Sequence, residues 1–395
     1  MKFEILTGGP GRPPFVPSAA ALLLVASIAA AKPGDEFTPY AFLGYTYDDN
    51  LLRLPDGASA PADDGTVRRG DQILRYGAGI IVDKPVSRQR IYANLAYYQN
   101  DYNHFNQLDF GAPAIDTYWA WQVGNLWSGR LGYDRDRALS NFADQLQPQK
   151  NIRTQERHYF RPQYELSANL RVKGALEYHT LGNSAFVRSN REDTIYDLGV
   201  ERISPQLNSF GFFVRFTDVE YPDRPDIPGI GPSSFDQTDF DLRVDWRATG
   251  ASRLAGRVGY TEREFPGNDF GGVTGRMVWD WVPTGKTSIS FVARRQFEYL
   301  EDALGNGALV QGVSVEPRWN MTPKISLSAF AEYRERDRDL SPIDERYRVL
   351  ELSANYAPVD NLQFSVSYRR DRRRTDFQIL DYDANVVSGS AQLTF

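Results

Sequence analysis

The chain has 395 residues, 45 basic and 51 acidic side chains and a formal net charge of −6, a balance that argues against nucleic acid as a partner. It has no cysteine and three histidines, His104, His158 and His179. That excludes disulfides, thiolate metal sites and a lipid-anchored cysteine, and leaves little for a histidine metal site. Aromatics make up 13%, and arginines outnumber lysines 38 to seven.

In chain order, the first feature is Ala19–Ala31 (AAALLLVASIAAA), the only sustained apolar run. At roughly 1.5 Å per residue in a helix it is too short to span a bilayer. Its small-residue end, with Lys2 and Arg12 upstream, reads as a signal peptide cleaved near Ala31. This divides the chain into a leader at 1–31 and one domain at 32–395. With no further apolar helix, only a closed barrel offers the mature chain a route through a membrane.

Beyond Lys32 the pattern has a period of two. Phe210, Phe212, Val214 and Phe216 alternate with Gly211, Arg215 and Thr217; Phe240, Leu242, Val244 and Trp246 alternate with Asp239, Asp241, Arg243 and Asp245; Leu362, Phe364, Val366 and Tyr368 alternate with Gln363, Ser365, Ser367 and Arg369. One face suits hydrocarbon and the other water. Connections alternate in length. Short ones fall at Asp83–Ser87, Trp127–Gly129, Ser167–Asn169, Ser204–Asn208, Ala248–Ala251, Pro283–Lys286, Asn320–Lys324 and Ala357–Asn361, all rich in turn formers. Long polar ones include Asp48–Gly70, Asn100–Asp116, Asp136–Ile152, Glu220–Phe235 and Arg373–Asp383.

Strands leading into the long loops each carry an aromatic near their end: Tyr45, Tyr97, Tyr133, Tyr178, Phe216, Tyr260, Phe297, Tyr333 and Tyr368. A repeat of this size also suits a β-propeller, but a blade needs four short strands where this sequence has two long ones. Nine hairpins of membrane-crossing strands predict an all-β, transmembrane antiparallel up-and-down barrel of about eighteen strands, with an aromatic girdle at the lipid–water interface. It would lie in the outer membrane of a Gram-negative bacterium with both termini periplasmic.

The polar face of such a wall lines the lumen. The lumen-lining candidates are Arg215, Arg243, Arg247, Arg253, Arg257, Arg276, Arg294, Arg318, Arg334, Asp241, Asp245, Glu316 and Glu332. Mutual pairing is the plainer reading; an arginine-lined path for an anionic or hydroxylated solute is the sharper one. Near the end of the chain, Arg336, Arg348, Arg370, Arg372, Arg373 and Arg374 predict a basic patch at the outer rim, facing lipopolysaccharide phosphates or an acidic polysaccharide.

The last strand, NVVSGSAQLTF, keeps its alternation to the final residue. It resembles the closing strand of bacterial outer-membrane barrels. That likeness implies that Leu393 and Phe395 serve as a signal to the barrel-assembly machinery. An edge strand of a soluble sheet would read alike on this stretch alone.

No Gly-rich phosphate loop, paired-histidine metal motif or nucleophile elbow occurs, so neither cofactor nor enzyme is expected. His104, near Asp101 and Asp109, is the cheapest enzymatic alternative, a rim-active hydrolase.

Thr46–Pro55 (TYDDNLLRLP), just after the first strand, resembles the opening signature of a β-barrel porin family. Its LLRLP extension is similar to that of EpsL-type outer-membrane proteins, which are associated with exopolysaccharide biosynthesis. The resemblance implies a channel or assembly component for polysaccharide export, with other export-system components as partners. A general diffusion porin without polymer specificity is the alternative.

Overall fold

A single rule, side chains alternating across a hydrogen-bonded wall, builds the whole molecule. The structure, a computed structural model, describes residues 36–145, 148–225, 232–264, 270–298, 308–338 and 344–395. The expected leader at 1–31 lies outside the described residues.

Eighteen long strands follow one another: β1 (Phe37–Asp48), β2 (Asp71–Val86), β3 (Gln89–Tyr102), β4 (Phe110–Val123), β5 (Trp127–Leu139), β6 (Ile152–Ser167), β7 (Leu170–Asn183), β8 (Arg191–Ile203) and β9 (Ser209–Glu220). The second half comprises β10 (Ser234–Thr249), β11 (Ser252–Glu264), β12 (Phe270–Thr284), β13 (Thr287–Glu298), β14 (Ala308–Asn320), β15 (Ile325–Arg338), β16 (Asp344–Val359), β17 (Leu362–Thr375) and β18 (Tyr382–Thr394). Each pairs antiparallel with the next, and β1 pairs with both β2 and β18. The result is a closed 18-stranded barrel with no free edge, as the hairpin count predicts.

Exposure along β10 shows which face meets which solvent. Leu242 is 60% exposed and Phe240 41%, whereas Asp239 and Asp241 between them are 3% and 1% exposed. A soluble sheet buries its apolar side; here the apolar side looks outward, which is stable only against hydrocarbon. No helix among the described residues is long and apolar enough to cross a membrane; the strands cross instead.

The two rims differ. One carries two- to five-residue turns at 87–88, 124–126, 168–169, 204–208, 250–251, 285–286, 321–324 and 360–361. The other carries longer connections, including 49–70, 140–151 and 221–233. The turn expected at Trp127–Gly129 sits earlier, at 124–126, where Gly124 takes φ +61° and supplies the left-handed residue the turn needs. Trp127 opens β5 and packs on Tyr164 with ring centroids 4.7 Å apart. The loop expected over Asn100–Asp116 shrinks to 103–109. Polar residues there stay in the ladder, because a strand rising into water keeps its hydrogen bonds while changing its side chains.

Close approach decides a glycine on β8. A Cβ at Gly199 would lie 2.1 Å from Cδ1 of Phe213 on the adjacent strand, so the bare backbone makes room for that ring beside the lumen.

The seam where the chain closes on itself is latched by the residues after β1. Asp49 accepts from the Asn385 backbone N–H and its Nδ2, both at 2.7 Å. Asn50 donates to Leu54 O (2.8 Å) and Asp383 O (2.9 Å) and accepts from Leu54 N (2.8 Å). Asp48 accepts from Asn50 N at 2.9 Å and from Arg53 Nη1 at 2.8 Å. Burial opposes the charge on Arg53, yet Asp48 outweighs it and holds that guanidinium above its ordinary range. Phe395 ends the seam, its N–H bonded to Pro39 O at 2.9 Å and its ring buried.

Asp49→Ala removes two of these bonds and leaves the Asn385 N–H and Nδ2 without their acceptors at the seam. We expect a loss of about 1–3 kcal/mol, seen as a lower urea midpoint in detergent with the barrel otherwise formed. An unchanged midpoint would show that the latch adds nothing to the backbone ladder.

Candidate functional site: the lumen

The inward face is polar because every second residue must face the water column. On β8 to β11 it carries a chain of ion pairs. Arg215 Nε reaches Asp197 at 2.9 Å, Arg243 bonds the same carboxylate and lies 3.4 Å from Asp241, and Arg257 Nη1 reaches Asp241 at 2.9 Å. Arg253 grips Asp245 through two nitrogens, at 2.7 and 2.5 Å. Arg294 reaches Glu332 at 2.7 Å, and Arg318 lies 3.6 Å from Glu316. Arg334 sits 4.3 Å over the Tyr347 ring. Arg247 is exposed near the short-turn rim, where its backbone N–H meets Asn208 Oδ1 at 2.7 Å. All thirteen lumen candidates fall on the strand face opposite the exposed apolar residues.

Arg257, Arg276 and Arg294 stand directly opposite one another across β11, β12 and β13. Like charges in register cost roughly 0.2–1 kcal/mol per pair. Asp241 offsets this at Arg257 and Glu332 at Arg294. The middle arginine, Arg276, makes no ion pair among the described residues. It is exposed and lines a hollow of about 230 Å³ with Arg294, Glu316 and Glu332.

The far wall holds a larger cavity of about 710 Å³, lined among others by Asp116, Tyr118, Arg130, Arg157, Tyr159 and Arg161. Arginines there lie over tyrosines: Arg130 is 5.0 Å from the Tyr118 centroid and Arg161 4.4 Å from that of Tyr159. Stacking leaves the in-plane donors of a guanidinium available; Arg161 uses its Nε on Glu177 Oε1 at 2.8 Å.

One loop reaches across the lumen. Residues 140–145 leave β5 with a short 3-10 turn, Phe142–Asp144, capped by Asn141 Oδ1 accepting from Ala143 N at 3.0 Å. Phe142 packs with Leu51, Leu52, Phe105 and Leu108 from the two neighbouring long loops. Asp144 accepts from Arg336 Nη1 of β15 at 2.6 Å, and Arg373 of β17 donates to Ala143 O. β15 lies nine strands on from β6, halfway round the eighteen-strand wall. The loop is therefore tied to the opposite side and narrows the lumen.

That geometry divides the predicted basic patch by strand parity. Arg336 and Arg373 point inward and are buried as anchors for the loop. Arg348, Arg370, Arg372 and Arg374 point outward, in line with the exposed Leu350, Leu352, Val366 and Tyr368. The patch is thus not one rim surface: a run of arginines on a strand is split between two solvents.

Of the nine predicted girdle aromatics, Tyr45, Tyr97, Tyr178, Phe216, Tyr260, Tyr333 and Tyr368 are exposed on the outer wall. Tyr133 is half-buried against His158, with centroids 4.6 Å apart. Phe297 differs: the buried Arg263 lies 4.1 Å from its ring, so it is drawn to a cation near the strand end. Leu393 stays in the ladder between Ala41 and Leu362.

The residues of the enzymatic alternative are engaged in holding loops. His104 Nδ1 bonds Asp71 Oδ1 at 2.8 Å. Asp71 also accepts from the backbone N–H groups of His104 (3.0 Å) and Phe105 (3.0 Å), which makes it a loop knot. Asp109 accepts from Tyr102 N at 2.7 Å. Among the described residues no group of three or more His, Asp or Glu could hold a metal ion.

A closed wall with an apolar exterior and a charged, loop-narrowed interior is the architecture of a porin-like transmembrane β-barrel. Residues 233–395 match the profile of a family described as "Putative beta-barrel porin 2". No curated protein matches the chain. Among solved structures, a BenF-like porin from Pseudomonas fluorescens Pf-5 is 11% identical, with a TM-score of 0.53 over 91% of this chain and 98% of that one. Pseudomonas aeruginosa OccK2 (OpdF) is 10% identical, also with a TM-score of 0.53 and the same coverage. Its complex with glucuronate is 11% identical and aligns at 0.52 over 91% and 98% of the two chains. At these identities the likeness is one of fold.

Releasing the loop tests its role. Asp144→Ala combined with Arg373→Gln removes both ties and loosens the loop by about 2–4 kcal/mol. Single-channel conductance in planar bilayers should rise, with frequent transitions between levels. Conductance unchanged from the parent would show that the narrowing lies elsewhere.

Proposed function

We propose that this protein is a diffusion channel of the outer membrane for small hydrophilic solutes, with an arginine-set preference for anions. The long-loop rim is read as the cell-surface side and the termini as periplasmic, as tight turns on one rim and long loops on the other imply. The observation that carries the proposal is Arg276, a lumen-facing arginine between two others, with no ion pair among the described residues. Most other lumen charges are spent on one another, which hides them from solute. A guanidinium with free donors offers a planar fork that matches carboxylate. The stacked Arg130 presents the same chemistry in the larger cavity, whose size suits a sugar acid. That OccK2 is also seen in complex with glucuronate agrees with a solute of this class.

A second reading, polysaccharide export or assembly, rests on the likeness of Thr46–Pro55 to EpsL-type proteins. Those residues here form the latch of the barrel seam, with Leu51 and Leu52 buried beneath it. A polymer threading the lumen would have to displace the loop pinned by Arg336 and Arg373. The diffusion reading is therefore preferred.

Reversal potentials across a salt gradient should show anion preference for the parent and a clear move toward cations for Arg276→Glu; parent cation preference would sink the proposal. In cells, a deletion strain should take up small organic acids more slowly while secreting extracellular polymer normally. Lost polymer with unchanged uptake would instead favour the export reading.

A further inference from the structure

We infer that the outer surface of β16 and β17 is a binding site for a phosphorylated glycolipid of the outer leaflet. The inference extends the reading of the long-loop rim as the cell-surface side. Five arginines share this face: Arg346 and Arg348 on β16, and Arg370, Arg372 and Arg374 on β17. Arg346 stands directly opposite Arg374, and Arg348 directly opposite Arg372. Two like-charge pairs side by side are unfavourable in a sheet, and the acid nearest them is shared. Asp383 on β18 serves three of the five, at 2.6 Å from Arg372, 3.9 Å from Arg370 and in contact with Arg374. Asp381 lies 4.0 Å from Arg374. Glu335 on β15 stands opposite Arg346, while its Oε1 accepts from Tyr333 at 2.7 Å. Asp337 and Asp344 oppose each other farther up the rim. Arg346 and Arg348 form no ion pair among the described residues, and Arg348 only leans over Tyr333 at 5.9 Å.

Height fixes the occupant. On the same outward face Tyr333 stands level with Arg348 and Leu350 with Arg370, and Leu352, Val366 and Tyr368 follow below, all exposed. The Tyr368 hydroxyl turns toward Asn385 Oδ1 at 2.8 Å, as interfacial tyrosines do. Acyl chains would lie on the apolar residues and the headgroup on the arginines. A phosphate there accepts two or more charge-assisted hydrogen bonds from forked donors already held in place by the strands. A soluble anion would gain the charge contact but not the apolar one below.

The test uses full-length protein, delipidated in a mild detergent and titrated with bis-phosphorylated lipopolysaccharide, with binding read by native mass spectrometry. We expect binding that falls about tenfold or more with the dephosphorylated glycolipid, and equally with the Arg348→Gln/Arg370→Gln/Arg372→Gln variant. Heat-modifiable mobility on gels confirms that each variant is folded; should the triple variant fail there, Arg348→Gln alone is read, since it breaks no ion pair. Equal affinity for both lipids, or for parent and folded variant, overturns the inference.

Discussion

Hydrocarbon cannot hydrogen-bond, and every backbone N–H and C=O in a membrane wall must find a partner within the protein. That constraint forces the sheet to close. Here closure is reached between β1 and β18, the first and last strands of the described chain, so the wall is complete only when its two ends meet. The residues just past β1 are accordingly specialised. Asp49 and Asn50 reach Asn385 and Asp383 across the seam, and they turn a hydrogen-bonded join into a side-chain lock.

Once the wall is closed, inside and outside are fixed by parity, and charge follows. The lumen holds acids and arginines in nearly matched numbers, which keeps the interior hydrated without a strong net field. On the proposed reading, selectivity depends on where pairing is incomplete. The row Arg257, Arg276 and Arg294 has acids at its two ends only. Arg276, between them, is the member of the row without an acid of its own among the described residues.

Much of this could be read from residues alone, and the reason is physical. Alternation such as Phe240, Leu242 and Trp246 against Asp239, Asp241 and Asp245 has one explanation at that length, so strand number, closure and the lumen face followed from it. Turn positions were less legible. Trp127 and Gly129 look like turn residues, but the positive φ falls on Gly124, and only backbone geometry reveals that. The end of β3 and the start of β4 look like loop because polarity marks water and not the end of a ladder. The inward loop was beyond reach: Phe142 and Asp144 carry no local signal, and their partners Arg336 and Arg373 lie about two hundred residues away in sequence. The TYDDNLLRLP signature was visible as a motif, but its job at the seam needs the position of β18.

The run Arg369–Arg374 shows why composition misleads at such a rim. Read as a line it is a basic patch. Folded, its members answer to different surroundings at every step. Arg369 and Arg373 look inward, the first to Glu351 and Asp371, the second to the loop that narrows the channel. Arg370, Arg372 and Arg374 look outward and converge on Asp383. One strand thus carries both the support of the constriction and the charge that faces the membrane surface. Because a strand cannot slip by one residue without exchanging these roles, the register that keeps Arg373 on the loop also keeps Arg372 on the outer face.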